Sequence, residues 1–127
     1  MIDWSNLVVG LQPLQPIEHM SSDNKAVERD CGVVKRLARS LEYDRRELSQ
    51  EISRATQIES TGDAARLKQQ QSVVAEAEMM IPFTEKKIKE AIAALEAKVA
   101  KGGPRVSEEN QTKAAEVIAM AKSILEA

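Results

Sequence analysis

A chain of 127 residues, 30% charged and only 2% aromatic, is one domain's worth of polypeptide with a modest core. Its 18 basic and 20 acidic residues interleave to a net charge of −2, which excludes the basic stripe of a nucleic-acid binder, and Trp4, Tyr43 and Phe83 are too few to stack bases. No apolar run approaches the roughly 20 residues that cross a bilayer, and the single Cys31 cannot form an internal disulfide, which fits a reducing cytosol.

Residues 1–24 differ from the rest. They hold Pro13 and Pro16, three acids (Asp3, Glu18, Asp23) and no Lys or Arg. The apolar stretch from Leu7 to Leu11 is too short for a signal core and lacks a positive flank. The segment reads as a flexible tail, with His19 inert in it and Met20 a candidate biological start ahead of the cap-like Ser21-Ser22-Asp23-Asn24.

From about 25 to 60, apolar residues at Val27, Val34, Leu37, Leu41, Leu48, Ile52, Ala55 and Ile58 recur at helical spacing. Glu42 and Arg46 are placed for an i,i+4 pair, worth about 0.2–0.5 kcal/mol. Gly32 costs about 1 kcal/mol against alanine inside a helix, so it marks a close contact or a late start. Thr61-Gly62-Asp63 is a tight junction, with Gly62 suited to the left-handed conformation and Asp63 to capping a second helix. Two helices joined so closely fold back antiparallel.

The second helix, about 63–100, carries Leu67, Val74, Ile81, Ile88 and Leu95 seven residues apart. That repeat keeps one stripe facing one partner, as in a coiled coil. Ile92 and Val99 fill the companion positions at the far end, while Gln71, Glu78 and Glu85 leave the earlier ones polar. Pro82 removes a backbone donor from the Glu78 carbonyl and crowds it, so a kink is expected there. Lys98 and Lys101 suit the negative end of the helix dipole. Gly102-Gly103-Pro104 stops the helix, and Ser107 with Glu108 and Glu109 starts a third, about 107–126, burying Ala114, Val117, Ile118, Ala121, Ile124 and Leu125. The fold expected is all-α: an antiparallel three-helix bundle over 25–127 with coiled-coil-like packing. Because the third helix is about half as long as the others, it covers only part of their seam. The remainder needs a second copy or a partner.

No phosphate loop, catalytic triad, Cys–His pair or metal-ligand spacing is present, so no enzyme, cofactor or metal is expected. Cys31 has no His to activate it and reads as a small core or surface thiol. Glu76 and Glu78, two apart, point to different faces of a helix. Met79-Met80 reads as gap-filling beside Pro82, with an adaptable binding surface as the alternative. The strongest polar features are Lys35-Arg36-Arg39 and Lys86-Lys87-Lys89. They read either as solvated faces or as docks for an acidic protein surface, with Tyr43 one turn beyond Arg39 as an anchor.

Three blocks carry a resemblance: Gly32-Val33-Val34-Lys35-Arg36-Leu37, then Tyr43 with Glu47-Leu48-Ser49-Gln50-Glu51, and Met79-Met80-Ile81-Pro82 preceded by Leu67-Lys68-Gln69-Gln70. In order and spacing they resemble the tubulin-binding cofactor A family over about Asn24 to Leu125; residues 1–19 fall outside its pattern. The resemblance implies a cytoplasmic chaperone of the microtubule cytoskeleton. It would capture β-tubulin released from the cytosolic chaperonin and hand it to other tubulin-folding cofactors for α/β assembly, without ATP hydrolysis, nucleic acid or membrane, as monomer or homodimer. Lys35, Arg36, Arg39, Tyr43, Lys86, Lys87 and Lys89 are the partner-binding residues expected. A generic coiled-coil adaptor is the alternative.

Overall fold

The computed structural model describes the backbone of residues 14–127 and side chains from residue 22. The elements are α1 (Leu14–Glu59), α2 (Ala64–Gly102), a 3-10 turn (Gly103–Arg105) and α3 (Glu108–Glu126), with no strand among the described residues. This is the all-α three-helix bundle expected from the sequence. α1 runs from Leu14, ahead of the start near Lys25 that the sequence suggests, so Pro16, which reads as tail, lies within the helix. Residues 1–13 and the His19 side chain lie outside the described residues.

The turns form as their residues dictate. Gly62 takes φ 77°, and the Asp63 carboxylate accepts the Arg66 N–H at 3.1 Å, capping α2. At the other end Gly103 (φ 51°) donates its N–H to the Val99 carbonyl. Gly102 has no room for a side chain, since an added Cβ would meet Val106 Cγ2 at 2.5 Å. The Ser107 hydroxyl caps α3 by accepting the Asn110 N–H at 3.1 Å. Gly32, by contrast, is mid-helix with nothing within 4 Å of an added Cβ. It marks neither a close contact nor a helix start.

Polar contacts fix the register. Lys98 pairs with Asp30 at 2.9 Å, drawn across to α1 rather than held at its own helix end. Arg45 pairs with Glu85 at 3.6 Å, the Thr84 hydroxyl donates to Asp44 at 2.9 Å, and Gln70 donates to the Glu51 carbonyl at 3.0 Å. α2 therefore runs antiparallel to α1. α3 runs parallel to α1: Ser107 N–H donates to Asn24 at 2.9 Å, Asn110 donates to Glu28 at 3.3 Å, and Arg45 donates to the Ile124 carbonyl at 2.7 Å. The Glu42–Arg46 pair is not among the ion pairs of the described residues, where four of five join different elements.

Between these anchors lies the core: Val27, Cys31, Val34, Ala38 and Leu41 of α1, Ile88, Ile92 and Leu95 of α2, Val106, and Ala114, Val117 and Ala121 of α3. The α1 residues alternate spacings of four and three, the heptad signature of close helix packing. Leu37, Ile118, Ile124 and Leu125 pack against this core partly buried, whereas Ile52, an expected core residue, is exposed.

The seven-residue stripe of α2 does face α1, but its companions lie three residues on, at Gln70, Ala77, Thr84 and Ala91. Gln71 and Glu78 on the other side are exposed. Short or hydrogen-bonded companions let the two helices approach, and the opposite flank becomes apolar, at Ile92 and Val99, only where α3 covers it. α2 continues across Pro82 as one helix. Both Pro82 and Glu78 are exposed, so water is free to bond the Glu78 carbonyl that proline leaves without a donor.

Candidate protein-docking site

Arg45 marks the end of the three-helix part. Its guanidinium donates to the Ile124 and Leu125 carbonyls, satisfying the last turn of α3. Beyond it residues 46–59 of α1 run on for about 21 Å against α2 alone, as a two-helix hairpin closed at Gly62. All the exposed large apolar side chains of the described residues belong to this end: Tyr43, Ile52, Val73, Met79, Met80 and Phe83.

The hairpin has two distinct flanks. One continues the track of α3: Ile52 stands seven residues after Arg45, and Glu78 and Gln71 lie at heptad steps before Ile92. A groove here is lined by Ile52, Ala55, Leu67 and Val74, with Glu59 and Glu78 at its edges. The other flank faces away from α3. It holds a groove of about 440 Å³ lined by Val73, Ala77, Met79 and Met80, with Glu47, Glu51 and Glu76 around it. Val73, Met80 and Lys87 follow one another by sevens, and Phe83 lies between the last two. The Lys87 ammonium sits 4.5 Å from the centre of the Phe83 ring, a cation–π contact. Glu51 is buried at the seam and held by Arg54.

The expected binding residues separate on this frame. Tyr43 is 56% exposed, and Arg36 and Arg39 precede it by seven and four residues on its face of α1. Lys87 joins the Phe83 flank across the seam, while exposed Lys86 and Lys89 project from other faces of α2. Lys35 is set apart, half-buried in the groove between α1 and α3 with Glu108, Glu109 and Glu116. None of the six cations takes part in an ion pair among the described residues. Met79, at 71% exposed, fills no gap beside Pro82. Val73 and Phe83 escape a reading centred on the seam, although the parallel series Val73, Met80, Phe83, Lys87 is legible once the α1-facing stripe is known.

Cys31 is buried, and that burial pushes its thiol pKa up, with Lys113 opposing. It is a core residue rather than a nucleophile. The described residues hold no His/Cys/Asp/Glu cluster able to bind a metal, and none of their helices is long and apolar enough to cross a membrane.

A rod of three packed helices, carrying unpaired cations and an uncovered apolar flank on a two-helix extension, is a helical binding protein. The family model of tubulin binding cofactor A matches residues 23–118, and the chain belongs to that family, one of binding cofactors rather than enzymes. It is similar to the crystal structure of tubulin-binding cofactor A from Leishmania major, with TM-score 0.74 and 29% identity over 80% of this chain and 95% of that one. It is also similar to tubulin folding cofactor A from Arabidopsis thaliana, with TM-score 0.62 and 26% identity over 76% and 96% of the two chains. No curated protein matches.

Proposed function

We propose that this chain is a cytoplasmic tubulin-folding chaperone that captures β-tubulin released from the chaperonin. It passes the subunit to other tubulin-folding cofactors for α/β assembly, by stoichiometric binding without ATP. The family match over residues 23–118 carries this reading. The polar surface supports it: Arg36, Arg39, Lys86, Lys87 and Lys89 are exposed cations, and with Lys35 and Tyr43 they offer reversible contacts to an acidic partner, steering its approach at long range.

The test is co-purification of the recombinant chain with α- and β-tubulin, followed by sizing of any complex, with and without nucleotide. A one-to-one complex with β-tubulin that forms without ATP is the expected result. Charge reversal at Lys35, Arg36 and Arg39 should weaken it and leave helicity intact. A well-folded chain that retains no tubulin would return the protein to the class of helical adaptors.

A further inference from the structure

The flank of the hairpin opposite α3 is apolar, exposed and bounded by charge, and nothing in the described chain covers it. Val73, Met79, Met80 and Phe83 of α2 form its length, with Tyr43 of α1 at the end nearer the bundle. Arg36, Arg39 and Lys87 flank that end, while Glu47 and Glu76 stand beside Met79 and Met80 along its middle. Resting on the tubulin-binding reading above, we propose that tubulin docks on this flank. An apolar segment of the subunit seats on Met79, Met80 and Phe83, with an acidic group beside Lys87 and a basic group beside Glu47 and Glu76.

An obligate dimer is a poor match by area. Five roughly half-exposed large side chains offer on the order of 500 Å² of apolar surface. A standard interface takes about 800 Å² per partner, a little over half of it apolar, whereas obligate homodimers take more and are more apolar. A small apolar centre with a charged rim suits a subunit that must be released again. Methionine adds fit, because its flexible thioether adapts to a surface of irregular shape.

The experiment compares tubulin binding by the full chain, by the double variant Met80→Glu, Phe83→Glu, and by Ile52→Glu, which places the same charge on the other flank. All three positions are exposed, so far-ultraviolet dichroism should show unchanged helicity. The expected result is at least a tenfold loss of β-tubulin affinity in the double variant and less than a twofold change in Ile52→Glu. Equal affinity in the folded double variant and the parent overturns the docking flank and leaves the chaperone reading standing. No tubulin binding by the parent chain overturns both. A parent that sizes as a dimer, and becomes a monomer in the double variant without change in tubulin affinity, assigns the flank to a second copy and overturns the proposal.

Discussion

Leu41 and Ile52 are nearly equal in volume and lie eleven residues apart on α1, on either side of Arg45. Leu41 is 0% exposed within the three-helix core; Ile52, beyond the reach of α3, is 48% exposed. Truncating Leu41 to alanine removes a fully buried side chain and leaves a cavity, a loss of about 3 kcal/mol. Truncating Ile52 forfeits about half of a 1.5–3 kcal/mol burial, or ~1 kcal/mol, without a closed cavity. Alanine returns a few tenths of that through its higher helix propensity, leaving about 0.5 kcal/mol. The difference, ~2.5 kcal/mol, exceeds 1 M in urea midpoint at an m-value of about 2 kcal/mol/M. Urea titrations followed by dichroism at low protein concentration measure it directly. Equal losses from the two substitutions would refute the division of the rod into a covered core and an uncovered hairpin, because Ile52 would then have to be buried in solution.

The two helix glycines should respond in opposite directions. Gly32→Ala gains about 0.5–1 kcal/mol, since nothing beyond its chain neighbours and its own helix backbone lies within 4 Å of an added Cβ, whereas Gly102→Ala loses about 1–3 kcal/mol by forcing Val106 away; thermal melts of both separate the cases. Cys31 sets an alkaline limit. Because burial raises its pKa above the ordinary 9.0, the stability carried by the neutral thiol is fully present below pH 9 and is lost as pH rises through the folded value. Cys31→Ala should flatten that alkaline decline in a pH series of melts. Pro82→Ala restores a backbone donor to the Glu78 carbonyl and should stabilise the helix by up to about 3 kcal/mol. If the proline also bends α2 to fit tubulin, affinity falls as stability rises, and unchanged affinity would remove that role.

Much of the fold is legible in the sequence because its signals are local. Gly62-Asp63 and Ser107-Glu108-Glu109 place the junctions where the caps form, and the stripe from Leu67 to Leu95 identifies the face of α2 toward α1. Cys31 and Ala38 are less visible, since small residues weigh little in a hydrophobic pattern although both are almost wholly buried. Ile52 misleads for a tertiary reason. It continues the periodicity of Val34 and Leu41, but periodicity says which way a side chain faces and not whether a third helix reaches it. The candidate site has the same limit. Tyr43 and the cation clusters can be read directly, but the apolar flank emerges only once the end of α3 at Arg45 separates covered from uncovered positions.

The same termination explains how a two-helix hairpin persists while exposing apolar side chains. An isolated pair of helices this short would be marginal, because helix nucleation is costly and most helix stability comes from packing. Here neither helix has to nucleate: α1 and α2 enter the hairpin already formed, and the core from Val27 to Leu41 has met the ordering cost. The hairpin gains from Ile58, from Thr84 bonded to Asp44, and from Glu51 held by Arg54 and bridged through its carbonyl to Gln70. That sets the pairing register without a third helix. Lacking a deep core, it should open at a lower free energy than the three-helix core, and it bears the adaptable Met79–Phe83 surface. Rigidity is thus concentrated where α3 packs, and adaptability at the end that the proposed partner meets.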